Sequence, residues 1–109
     1  MKKLFFIIIF ITTPTKKEAQ KIANKLLNEK KVACVNIISG VNSHFWWKDK
    51  IESANEMLLI AKTELKFFND IVKLVKKLHS YEVPEIIALP IINGNKDYLD
   101  WISKSIKKI

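Results

Sequence analysis

Arginine is missing from this chain: all 19 basic residues are lysine, against 11 acidic residues, for a net charge of +8. Bidentate recognition of phosphate and guanine favours the planar guanidinium fork, whereas dispersed lysine is generic solvated charge. Lys16, Lys17, Lys21 and Lys25, and then Lys66, Lys73, Lys76 and Lys77, fall between apolar positions of two helical patterns. They read as a soluble surface, and no nucleic-acid partner is expected.

Cysteine is nearly absent too. Cys34 stands alone, so an intramolecular disulfide is excluded, nothing calls for an oxidising compartment, and a cytoplasmic setting is expected. Two glycines leave little room for flexible linkers, and 109 residues at 49% hydrophobic content fit one folded domain, 1–109, whose core needs no disulfide or metal to hold it. Long apolar runs are absent: Leu4 to Ile11 is eight residues, where a helix crossing a bilayer needs about 20. Behind Met1-Lys2-Lys3 this run superficially resembles a signal peptide, but no small-x-small site follows it. It reads as a buried strand, and no membrane partner is expected. A nucleophile elbow, a Walker loop, HExxH and a glycine-rich phosphate cradle are all missing, so no enzyme is expected.

The elements that are present follow from periodicity. After the strand at 4–11, Thr15 with Glu18 three residues on forms a helix-start signature, and Ala19, Ile22, Ala23, Leu26 and Leu27 supply an apolar stripe ending near Lys30. Residues 32–38 read as a second strand, Ser39 to Ser43 as a flexible break, and Phe45-Trp46-Trp47 as resumed extended chain. Lys48-Asp49-Lys50 reads as a tight turn into a third strand over 51–63, giving a long bent hairpin. A second helix is expected over 65–79, with Leu65, Phe68, Ile71, Val72, Val75 and Leu78 inward. A fourth strand over 85–92 contains Pro90, which suggests an edge or a bulge, and Asn95 caps a closing helix carrying Tyr98, Leu99, Trp101, Ile102 and Ile106. The sum is an α+β, ferredoxin-like βαββαβ sandwich with an added C-terminal helix.

In that layout two helices cover one face of the sheet. The strands nevertheless carry apolar side chains at both parities, as in Phe5 to Phe10, Met57 to Ala61 and Ile86 to Leu89, so both faces call for burial. Adjacent Phe45, Trp46 and Trp47 add a patch beyond what soluble monomers usually expose, and burying each contributes about 2 kcal/mol. A closed ring of identical subunits answers both problems.

Polar chemistry concentrates between Leu78 and Pro90, where a histidine, a tyrosine and two glutamates separate a helical pattern from a strand pattern. His79 and Cys34 are the soft candidates for Cu²⁺ or another divalent cation, with His44, Glu82 and Glu85 as further oxygen and nitrogen donors. Their spacing is no metal motif, so only the fold can assemble them. Cys34 equally suits a small buried hydrophobe, and His79 a cation at a helix C-terminus. Lys62, Glu64, Tyr81 and Glu82 suit a cleft between subunits for a small anionic ligand, with Lys62 as the point charge. Tyr81 and Trp101 fit either ligand contact or packing.

Several segments together carry a resemblance: Thr12-Thr13-Pro14, Ala33 to Ser43, Phe45 to Ile51, Leu58 to Thr63, His79 to Ile87 and Tyr98 to Ile102. In order and over nearly the whole chain, they resemble the CutA divalent-ion tolerance proteins. The resemblance implies a ferredoxin-like subunit, a compact homotrimer, and a link to tolerance of copper and other divalent cations. The family's trimer is similar to that of the nitrogen-regulatory signal proteins, which makes a ligand-sensing adaptor the alternative. Ser39 and Ser80 stand where family members usually carry proline.

Overall fold

A computed structural model describes residues 6–106 of the chain. The Leu4 and Phe5 end of the expected first strand and the Met1-Lys2-Lys3 segment lie outside the described residues. The elements run β1 (Phe6–Thr13), α1 (Lys16–Asn28), β2 (Cys34–Trp47), β3 (Lys50–Glu64), α2 (Phe68–Leu78), β4 (Ile86–Pro90) and α3 (Lys96–Ser105), with one 3₁₀ turn, Leu65–Phe67, leading into α2. The four strands form one antiparallel sheet in the order β2-β3-β1-β4. This is the expected βαββαβ arrangement, with β1 and β3 central.

The chemistry of each boundary is visible. The Thr15 hydroxyl accepts the Glu18 backbone N–H at 3.1 Å, satisfying one orphan donor of α1. Lys48 and Asp49 adopt φ of 51° and 66°, the left-handed pair that a two-residue hairpin turn requires. Pro90 sits on β4, which among the described residues pairs only with β1, so its missing N–H costs no second ladder.

One face of the sheet carries the main core. Ile7, Ile9 and Ile11 of β1 lie opposite Thr63, Ala61 and Leu59 of β3, all buried, and Ile22, Leu26, Ile71 and Val75 close over them from α1 and α2. The other face carries Ile8 and Phe10, Leu58, Ile60 and Lys62, Cys34, Asn36 and Ile38, and Ile87 and Leu89. Helix α3 reaches this second face, where Ser103 Oγ donates to Glu64 at 2.6 Å and Ile102 is buried. Ile38 and Ile87 remain 45% and 49% exposed there.

Four expectations need correction. No break divides the second strand: β2 is continuous to Trp47, and the register shift between Ile38 and Val41 is a bulge in which Gly40 takes φ +78°. Leu27 is exposed because it lies one step round the helix from Leu26, which is buried. Leu65 is exposed as well, since the 3₁₀ turn before α2 points Phe67 into the core in its stead. The fourth strand ends at Pro90, leaving Ile92 outside the ladder and exposed.

Candidate functional site

The loop after α2 is stapled to the start of the fold by His79. Its side chain has no exposed surface. Nδ1 lies 3.0 Å from the Tyr81 backbone nitrogen, which can only donate, so Nδ1 accepts; Nε2 therefore carries the proton and donates to the Thr12 carbonyl at 2.7 Å. Glu18, whose Oε2 lies 3.2 Å from Nδ1, accepts the Ser80 backbone N–H at 3.0 Å. Both ring nitrogens are thus engaged within the chain.

Tyr81 continues the network outward. Its ring centroid is 4.9 Å from that of His79, and its hydroxyl donates to Glu56 Oε2 at 2.6 Å. Burial, and then the bonded Glu56 carboxylate, push the phenol up to about 12. Glu56 itself is only 4% exposed. The phenol is thereby fixed as a neutral donor.

Around this pair lies a groove of about 1070 Å³ between the far arm of the β2–β3 hairpin and the 80–85 loop. Ser43, His44, Phe45, Trp46, Trp47, Glu52, Ser53 and Ala54 form the hairpin wall; Ser80, Tyr81, Glu82, Val83, Pro84 and Glu85 form the loop wall, and Thr12 and Glu56 also line it. The wide mouth exists because the hairpin continues past the end of β1, which pairs β3 only as far as Met57.

A second cluster occupies the other end of the open face. Lys62 Nζ donates to Asn36 Oδ1 and stands 3.9 Å from Cys34 Sγ, which lies 3.9 Å from the same Asn36 oxygen. From α3, Tyr98 meets Cys34 and has a raised phenol pKa through burial first and then the neighbouring thiol. Trp101 is its ring partner at 5.4 Å between centroids.

The candidates are therefore divided rather than gathered. Cys34 and Lys62 lie level with Ile8 of β1, while His79 binds Thr12, four residues along the strand, or about 13 Å at the rise of a β-strand. One chain does not bring Cys34 and His79 to a common ion, and among the described residues no three His, Cys, Asp or Glu side chains are placed to hold a metal. Within one chain the residues of the expected cleft between subunits lie apart, Lys62 and Trp101 on the open face and Tyr81 and Glu82 at the groove. His44 lines the groove with Nε2 2.7 Å from Asn42 Oδ1. Sequence reading missed Glu56, Asn36 and the Tyr98–Cys34 contact. The signal available for Glu56 was a carboxylate abutting the apolar run that starts at Met57.

The family description CutA1 divalent ion tolerance protein matches residues 7–105. This chain belongs to that family. The divalent-cation tolerance protein CutA of Archaeoglobus fulgidus is 46% identical over 99 residues, which are 91% of this chain and 96% of that protein. The chloroplastic CutA 1 of rice is 40% identical over 102 residues, 94% of this chain, but the chain spans only 58% of that relative's length. Among solved structures, rice CutA1 superposes with a TM-score of 0.93 at 39% identity, covering 97% of each chain. The A. fulgidus structure, described as a periplasmic divalent cation tolerance protein, superposes with a TM-score of 0.91 at 44% identity, covering 94% of this chain and 99% of that one. These similarities span the core, the groove and the open face of this CutA1 family member.

Proposed function

We propose that this chain serves divalent-cation tolerance without catalysis, as a compact homotrimer that takes up Cu²⁺ or another divalent cation and folds without it. The open sheet face carries the reading. Ile38, Ile87 and Leu89 leave apolar surface between two edge strands, β2 and β4, each paired on one side only among the described residues. A closed ring of copies covers that surface and satisfies both edges. Family membership supports the tolerance role. We place the protein in the cytoplasm on account of its single free thiol, although relatives carry chloroplastic and periplasmic in their names.

Cys34 is the soft donor in this reading, half-buried on the face that copies would share. Titration calorimetry of Cu²⁺ into the parent, Cys34→Ser and His79→Ala assigns the donors. Loss of affinity in Cys34→Ser names the thiolate, loss in a folded His79→Ala names the imidazole, and unchanged binding in both removes these two residues from the ligand set. Light scattering tests the assembly: a mass near three times the 12.7 kDa of one chain is expected, and a monomer at low micromolar concentration refutes it.

A ligand-sensing trimer is the second reading. Lys62 favours it, because this ammonium faces an amide and a thiol beside Tyr98 on the open face, where a small anion would find a point charge. A thermal-shift screen separates the two readings, since nucleotides or small anions raise the melting temperature in the second and divalent metals do so in the first.

A further inference from the structure

Two unlike apolar surfaces are exposed on one chain. One is the open sheet face around Ile38, Ile87 and Leu89. The other is the far arm of the β2–β3 hairpin, where Trp46 lies opposite Ile51 and the two are 71% and 68% exposed. β1 follows β3 only as far as Met57, whereas the β2–β3 ladder runs on to Trp47 and Lys50. The arm therefore projects past its neighbouring strand by the seven residues from Glu56 to Lys50, or about 23 Å. The ladder is unbroken from Val41 to Trp47, which keeps the arm extended, and Ile87 and Leu89 stand on β4 at the opposite edge of the sheet. One chain does not lay its own arm on its own open face.

Symmetry narrows what covers them. A two-fold pair sets each patch against its own copy, whereas a closed ring of three joins two different patches at every contact. The open face and the arm suit such a contact, because both are apolar and their charges are opposite. Lys62 on the face has an amide and a thiol as its partners and joins no ion pair among the described residues. Glu52 lies opposite Phe45 midway along the arm and is likewise outside every ion pair among the described residues, the arm's two lysines, Lys48 and Lys50, being at its tip. Face against face would instead bring Lys62 towards its own copy, which like charge disfavours.

We propose that the hairpin arm of one copy docks on the open sheet face of the next, head to tail, with Trp46 and Ile51 meeting the surface formed by Ile87 and Leu89. The inference rests on the homotrimer reading and adds to it which two surfaces meet. A tryptophan on an arm that extends beyond its own sheet thus becomes the anchor of the neighbouring copy.

Fluorine NMR of the full chain labelled with 5-fluorotryptophan reads the environment of the arm, the Trp46 resonance being assigned with Trp46→Phe. Its solvent isotope shift between H₂O and D₂O is compared in the parent and in Ile87→Lys, a change at the far edge of the sheet from Trp46. Trp46 should be shielded in the assembled parent, and Ile87→Lys, at the 12.7 kDa of one chain, should show a roughly twofold larger isotope shift as the ring returns to water. Ile51→Glu on the arm should lower the particle mass in the same way. Leu89→Lys, on the same strand, replaces Ile87→Lys if circular dichroism shows that variant unfolded. An assembled parent whose Trp46 is as open to solvent as in Ile87→Lys, or an Ile51→Glu chain that keeps the full assembly mass, overturns the docking alone. A parent that scatters light as a single chain removes the homotrimer itself, and the docking with it.

Discussion

The Tyr81 hydroxyl donates to the Glu56 carboxylate at 2.6 Å, joining the loop after α2 to the middle of β3 across 25 residues of sequence. Its phenol titrates at about 12 against an ordinary 10.0, burial being the larger cause and the carboxylate the second. The folded state therefore favours the neutral phenol. The stability it contributes is complete below pH 10 and is lost as pH rises towards 12. Phenolate absorbance should show a late tyrosine transition that Tyr81→Phe removes, and melting temperatures should fall over the same window in the parent more steeply than in Tyr81→Phe.

His79→Ala removes the acceptor for the Tyr81 N–H and the donor to the Thr12 carbonyl from a fully buried position. Leaving such groups unpaired costs roughly 1–3 kcal/mol each, so a loss of about 3 kcal/mol in denaturant unfolding is expected. His79→Gln, whose amide can replace one of the two bonds, should recover part of it. A His79→Ala protein as stable as the parent would show that the loop is held by other contacts.

Local chemistry explains which features were legible in the sequence. The Thr15 cap, the 48–49 turn and the order of elements each depend on neighbours within a few residues and are legible in the sequence, whereas Pro90 leaves an edge or a bulge open until the pairing of β4 with distant β1 decides for the edge. The errors arose where rotation about an element decides burial: one step of helix exposes Leu27, and one 3₁₀ turn exchanges Leu65 for Phe67. The site was least legible because its contacts are remote. His79 meets Thr12 across 67 residues and Lys62 meets Asn36 across 26, so the same side chains with a different strand register would form different clusters.

Gly40 and Gly94 should respond to alanine for opposite reasons. Gly40 holds φ +78° with open space where a Cβ would be, so its substitution strains the bulge without a clash; a loss of about 1 kcal/mol is expected. At Gly94 the backbone is unstrained, but a new Cβ would meet Leu99 Cδ2 at 3.3 Å. That neighbour is a flexible side-chain terminus, so the loss should be smaller. Urea midpoints of the two variants give the order directly, and a larger loss at Gly94 would place the constraint in packing instead of in the bulge.

The open face supplies the sharpest test of assembly. Ile38 and Ile87 are nearly half exposed in the single chain and belong to edge strands β2 and β4. A charge at either position costs little in an isolated subunit, because the side chain stays in water. In a ring that buries this face, three copies of that charge lose their hydration together, a penalty of several kcal/mol per site. Ile87→Lys should therefore convert the particle to a folded 12.7 kDa species by light scattering while its far-ultraviolet circular dichroism keeps the subunit signature. If Ile87→Lys and Ile38→Lys both retained the full assembly mass, the copies would have to meet through a surface other than the second face of the sheet.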